Sequence, residues 1–247
     1  MTAGSVTVHL VPPDLTRRES DERCLSVEEK HRADSFRFRD DAARWVSYRA
    51  ALRRILGAAL QVPPQEVPLF LTEFGKPVIA PPLAYLHFSL SHCDDLALVA
   101  WCVDGPVGVD VEPISRAASL LGCESTFCHP GELAVLAPGQ SARGLQLLEL
   151  WTAKEALLKA LGTGLSHPPE WVRIRSAASN LSATSDTPLP GIDGQALHRL
   201  RHPALAAHCA ALSAPASIHR IEIIPPQGWT SGPHSAMSTS HPRKTHG

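Results

Sequence analysis

The stretch from residue 96 to residue 113 limits the fold more than any other. Leu96 to Val103 is a continuous apolar run of strand length, Asp104-Gly105-Pro106 is a turn, and Gly108-Val109-Asp110-Val111-Glu112 alternates as a second strand that Pro113 ends. A strand period of two puts Asp110 and Glu112 on one face, roughly 6 to 7 Å apart along the backbone, and Val109 and Val111 on the other. So apolar a neighbour implies a sheet interior, where two unpaired carboxylates are costly. A hard cation with oxygen ligands resolves the conflict, and magnesium with a phosphate ligand fits best. A solvated edge face is the plainer alternative.

The turn at 104–106 also divides the chain. Before it, Val6 to Val11 alternates as a strand, residues 15 to 39 are mostly charged and helical, and Trp45, Tyr48, Leu52, Ile55 and Leu56 recur at helical spacing behind Asp40 and Asp41, which can cap the helix. Arg44, Arg49, Arg53 and Arg54 lie off that stripe, and Gly57 sits near the helix end. Strands at Leu69–Thr72 and within Leu83–Leu90 flank a Phe74-Gly75-Lys76-Pro77 turn. After the turn, Pro130 to Ala137 and Leu145 to Leu161 read as helices, the second stopped by Gly162. Trp171–Arg175, Ala206–Leu212 and Ile218–Ile224 read as strands, and residues 176–194 as a loop. The expected fold class is α+β, two similar halves in a pseudo-duplicated arrangement. The expected units are residues 1–105, 106–224 and a disordered tail at 225–247 that is rich in Pro, Gly, Ser, Thr and His.

With 247 residues, 44% hydrophobic and 19% charged, the chain can bury ordinary cores without staples. Its 23 basic and 24 acidic residues give no general attraction to nucleic acid, so any anion site must be a local cluster. The six cysteines form no C-x-x-C pair and read as reduced thiols of a cytoplasmic protein. Neither a signal segment nor a membrane span is expected.

Two further clusters carry chemistry. In Trp151-Thr152-Ala153-Lys154-Glu155-Ala156-Leu157-Leu158-Lys159, Glu155 and Lys159 share a helix face, which by itself suits a surface ion pair. In Phe88-Ser89-Leu90-Ser91-His92 a hydroxyl and an imidazole emerge from an apolar strand; alone, such a histidine is ordinarily structural.

Taken in order, S-x-S-H, then G-V-D-V-E, then W-x-x-K-E-A-x-x-K-x-x-G-x-G resembles the 4′-phosphopantetheinyl transferase superfamily. The likeness covers about residues 5 to 224, with Phe74-Gly75-Lys76-Pro77 similar to the family's Y/F-G-K-P turn. Both halves in one chain resemble the long, monomeric, surfactin-synthetase-activating type. The resemblance implies an active site at the junction of the halves, with Asp110, Glu112 and Glu155 holding Mg²⁺. It implies that Lys154 and Lys159 lie near the phosphates of coenzyme A and that Arg44, Lys76, Ser91 and His92 hold its nucleotide end. Lys30, Arg32, Arg37 and Arg39 are further basic candidates, and Glu132 resembles a helix-start residue.

The implied reaction moves the phosphopantetheine arm onto a serine of an apo acyl or peptidyl carrier protein, with Glu155 as base and Lys159 stabilising the leaving phosphate. Asp110 is the third member of that catalytic set. A magnesium-dependent pyrophosphohydrolase and a silent binding module are the alternatives from other classes.

Overall fold

The computed structural model describes residues 3–16, 19–177, 180–226 and 228–229. In chain order the elements are β1 (Ser5–Val11), α1 (Glu19–Glu22), α2 (Val27–Asp34), α3 (Arg39–Leu60), β2 (Leu69–Leu71), β3 (Pro77–Ile79), β4 (His87–His92), β5 (Ala97–Cys102), β6 (Gly108–Pro113), α4 (Pro130–Leu133), α5 (Gln140–Leu161), β7 (Val172–Ala177), β8 (Asn180–Ser185), β9 (Gln195–Arg199), β10 (His208–Pro215) and β11 (Arg220–Ile224). One sheet has the order β11-β1-β5-β4, a second the order β6-β10-β9-β8-β7, and β2 and β3 form a separate hairpin. The fold is α+β, with a long helix and a sheet in each half, as expected.

The alternation read from the sequence decides how these parts pack. Val6, Val8 and Leu10 of β1, Leu98 and Ala100 of β5, Val109 and Val111 of β6, and Leu212 and Ala214 of β10 join the two sheets in one buried core. The other face of the first sheet gives Phe88 and Val99 to Leu52, Leu56 and Leu60 of α3. The other face of the second gives Ile174, Leu197 and Ala211 to Ala153, Ala156 and Leu157 of α5.

Several expectations need correction. Asp40 and Asp41 do not cap α3; Phe38 holds that position without a side-chain hydrogen bond, and the two acids sit in the first turn, where the helix dipole favours them. Gly57 lies near the end of the helix, which runs three residues further to Leu60 and closes on Gln61 at φ 59°. Arg53 is off the apolar stripe yet only 3% exposed, because Glu29 of α2 meets it at 2.5 Å. Residues 176–194 are not all loop: β8 pairs along β7, so tertiary pairing overrides a small, polar sequence. β9 adds a strand with no alternating apolar signal in its sequence, Leu197 being its one buried residue. α5 begins at Gln140, and α4 stops at Leu133. The strand expected at Ile218–Ile224, placed with the second half, lies in the first sheet, where β11 runs parallel to β1. Of the expected tail, residues 227 and 230–247 lie outside the described residues. Trp229 lies inside them, its ring 4.8 Å from that of His202.

Candidate active site

The carboxylate strand and the long helix of the second half touch because Gly108 has no side chain. A Cβ there would come within 2.0 Å of the Ala156 carbonyl oxygen and 2.4 Å of the Ala160 nitrogen, so only glycine allows β6 to lie directly on α5. That contact sets Asp110, two residues along the strand, against the face of α5 that carries Glu155 and Lys159. Lys159 Nζ donates to Asp110 Oδ1 at 2.6 Å and to Ser91 Oγ at 3.1 Å, and lies 3.8 Å from Glu155 Oε2. Ser91 Oγ donates to the same Asp110 oxygen at 2.7 Å. Since Ser91 is on β4 and Asp110 on β6, the cluster joins the edge strands of the two sheets.

Asp110 is buried, and its Oδ2 has no hydrogen-bond partner among the described residues. A buried carboxylate oxygen left bare is costly unless something outside the protein binds it. Burial, and after it the charge of Asp110, pushes the Glu112 carboxyl above its ordinary value. Glu155 is pushed up by burial too, Lys159 pulling the other way and Asp110 and Glu112 adding to the rise. Two acids pushed up in this way beside the buried Asp110 carboxylate form an all-oxygen set suited to a hard divalent cation. Glu112 is not yet turned fully into that set: Arg116 pairs with it, and the Arg116 guanidinium lies over the Trp151 ring at 5.7 Å. The donor atoms of the three acids consequently do not all fall within 4.8 Å of one another. Arg116 was not singled out in the sequence, although it stands four residues past Glu112 in a short 3-10 segment, Ile114–Leu120.

The residues of the first half approach from the other side. His92 packs its ring 5.2 Å from that of Tyr48, and its imidazole is held below its ordinary value by burial and then by Lys159 and Arg44. Arg44 donates from Nε to the Asp94 carbonyl and from Nη1 to Asp41. Lys76, on the turn between β2 and β3, reaches across to the carbonyl of Ala160 at 3.0 Å, and burial lowers its ammonium to about 8. Lys76 and Lys159 both line a cavity of about 210 Å³ with Phe74, Phe88 and Gly162.

Lys154 is the exception. Its side chain is 1% exposed, and its three donors go to Glu132 Oε2 at 2.7 Å, the Phe127 carbonyl at 2.7 Å and the Pro169 carbonyl at 3.0 Å. A lysine so enclosed has no donor left for a phosphate, so the expected coenzyme A contact is withdrawn. Glu132 is its buried partner and also accepts from the backbone of His129 and Ile174. Helix geometry held the signal: Lys159 is four residues from Glu155 and shares its face, whereas the adjacent Lys154 is turned about 100° away.

Comparison with known proteins decides the family. Residues 106–211 match the family model of the 4′-phosphopantetheinyl transferase superfamily, and residues 13–103 match that of the 4′-phosphopantetheinyl transferase N-terminal region. The 4′-phosphopantetheinyl transferase HetI of Nostoc sp. is 33% identical over 174 residues, covering 67% of this chain and 73% of that protein. The chain belongs to the 4′-phosphopantetheinyl transferase superfamily. Sfp of Bacillus subtilis, also a 4′-phosphopantetheinyl transferase, is 27% identical over 161 residues, 64% of this chain and 70% of its own. The psf-1 transferase of Bacillus pumilus is 32% identical over 144 residues, 58% and 60%. With both matched regions in tandem, this phosphopantetheinyl transferase is of the surfactin-activating type. No helix among its described residues is long and apolar enough to cross a membrane.

Proposed function

We propose that this transferase moves the 4′-phosphopantetheine arm of coenzyme A to the hydroxyl of a serine on an apo acyl or peptidyl carrier protein, releasing 3′,5′-ADP and so activating fatty acid, polyketide or nonribosomal peptide synthases. The observation that carries the reading is Asp110: a buried carboxylate at the junction of the halves, with Lys159 on one oxygen and no hydrogen-bond partner among the described residues on the other. Asp110, Glu112 and Glu155 would hold Mg²⁺, Glu112 exchanging Arg116 for it. Bound there, the ion supplies charge neutralisation on the pyrophosphate and polarises the phosphorus.

Glu155, whose carboxyl burial pushes above its ordinary value, would accept the serine proton directly or through a water. Lys159, already placed between both acids and Ser91, stabilises the leaving phosphate. Arg44, His92, Ser91 and Lys76 face the same junction from the first half and bind the nucleotide end as cations and donors. No covalent enzyme intermediate is required, and we place the protein as a cytoplasmic monomer.

The test incubates the protein with coenzyme A, Mg²⁺ and an apo carrier protein and follows carrier mass. A gain of one phosphopantetheine arm is the expected result. Free phosphopantetheine with an unmodified carrier would mean a pyrophosphohydrolase, and no product at all a silent module.

A further inference from the structure

A second set of ligand atoms converges away from the carboxylates. Cys93 and Asp95 stand on the turn between β4 and β5, and His208 opens β10 in the other sheet. Asp95 Oδ1 lies 3.2 Å from Cys93 Sγ and 3.0 Å from His208 Nε2, and the sulfur, nitrogen and oxygen all fall within 4.8 Å of one another. This is the one such group among the described residues. We propose that Cys93, Asp95 and His208 form a binding site for a thiophilic divalent ion of the zinc class that clips the two halves together.

The donor set selects the ion. Thiolate, imidazole and one carboxylate suit zinc and are poor ligands for magnesium, which the all-oxygen set at Asp110 suits. Zinc bonds of about 2.0–2.3 Å at tetrahedral angles require donor atoms about 3.4–3.6 Å apart. The observed separations from Asp95 are within a few tenths of an ångström of that, so slight rotation of exposed Asp95 completes the fit. Three protein ligands leave the fourth position to water on the open side, where the Asp95 side chain is 67% exposed.

The remaining geometry holds the ligands in place. The His208 side chain is 7% exposed, so packing holds its ring with Nε2 toward Asp95, Nδ1 having no partner among the described residues. Tyr48 donates to the Cys93 carbonyl and Arg44 to the Asp94 carbonyl, which fixes the turn from the α3 side. On binding, the Cys93 thiol gives its proton to solvent and the sulfur–metal bond forms. The ring proton of neutral His208 then sits on Nδ1, freeing the Nε2 lone pair for the metal. No redox change takes place. Because Cys93 follows His92 directly, an ion here also fixes the strand end that bears the imidazole.

The experiment uses reduced, chelator-stripped full-length protein titrated with Zn²⁺ under native mass spectrometry and with Co²⁺ by absorption. One equivalent of zinc, a rise in melting temperature on loading, and a thiolate-to-cobalt charge-transfer band are expected. Excess Mg²⁺ should leave that band in place. Cys93→Ser should abolish the band, and His208→Gln and Asp95→Asn should weaken binding by more than the roughly 10–100-fold that loss of an outer partner brings. Asp95 is exposed, so Asp95→Asn keeps the test valid if a buried variant fails to fold. No zinc uptake, a band that survives Cys93→Ser, or affinity indifferent to Asp95→Asn would each overturn the site.

Discussion

The two halves use one device for different ends. α3 and α5 are both 22 residues long, and both close on a left-handed residue, Gln61 and Gly162. α3 meets its sheet through Leu52, Leu56 and Phe88, side chains that hold helix and strand apart, and spends Arg49 and Arg53 on Glu29 at 2.5 Å each. α5 meets β6 backbone to backbone at Gly108 and turns Glu155 and Lys159 onto the strand's carboxylate. The duplicated plan thus yields one stiff scaffold and one charged cleft, and the difference rests on one missing Cβ. Even within α5 the division recurs, Lys154 inside and Lys159 at the cleft.

The sharpest way to break this contrast is at the strand. Asp110→Ala should cut transfer by at least about 10²–10³, the scale of losing a group that stabilises developing charge. It should leave the fold intact, since the loss of the Lys159 and Ser91 contacts is offset by removal of a bare buried oxygen and of the repulsion with Glu112 and Glu155, and Lys159 keeps access to solvent. A collapse of the fold in circular dichroism would instead make Asp110 structural. Lys154→Met should do the opposite. With Glu132 left charged at 2% exposure, it should lose about 3–5 kcal/mol of stability. Adding Glu132→Gln should recover much of it, and denaturant unfolding of both variants decides whether Lys154 belongs to the scaffold.

How much of this was legible follows from what each residue's pattern encodes. The strand at Gly108–Pro113, the stop at Gly162 and the shared face of Glu155 and Lys159 could be read because period and spacing are local properties, whereas the grouping of Asp110 with that face rested on the family resemblance alone. The close approach at Gly108 could not, since a glycine opening a strand looks the same whether or not a helix lies on it. The enclosure of Lys154 depends on Glu132, Phe127 and Pro169, all remote in sequence. β8 escaped because its small polar residues owe their strand form to β7, and β11 crossed to the first sheet because parallel pairing leaves no turn signal in the chain.

On the nucleotide side the effects should be smaller. His92→Ala should raise the KM for coenzyme A by about tenfold with kcat nearly kept, because a group that holds ligand equally in ground and transition states acts on binding. A kcat loss at constant KM would move His92 from the scaffold side of the comparison to the cleft side. The cleft should also give itself away by pH. Glu112 and Glu155 titrate in the folded protein above their ordinary 4.5, so the native state holds extra protons and stability falls as pH rises from 4.5 through the raised values. Mg²⁺ offsets that charge and should therefore raise the melting temperature by a few degrees near pH 7 and by less near pH 5. An equal rise at both values would place the ion elsewhere.

The smallest effect concerns the end of the chain. Removing residues 230–247 should change neither turnover nor melting temperature, because that stretch offers only Met237 as a sizeable apolar side chain and cannot offset the entropy of ordering it. Trp229 sets the limit. Its ring lies against His202, and its backbone nitrogen donates to the Pro226 carbonyl at 3.1 Å, closing a turn that brings the chain beyond β11 onto the second half. An aromatic contact of this kind is worth about 0.5–1.5 kcal/mol, which in a protein of this size is a shift of about 2–4 °C per kcal/mol. Truncation after Ile224 should therefore lower the melting temperature by a few degrees while truncation after Trp229 does not. A drop already present in the longer form would show that residues beyond Trp229 pack on the fold and that the second half is larger than its sheet.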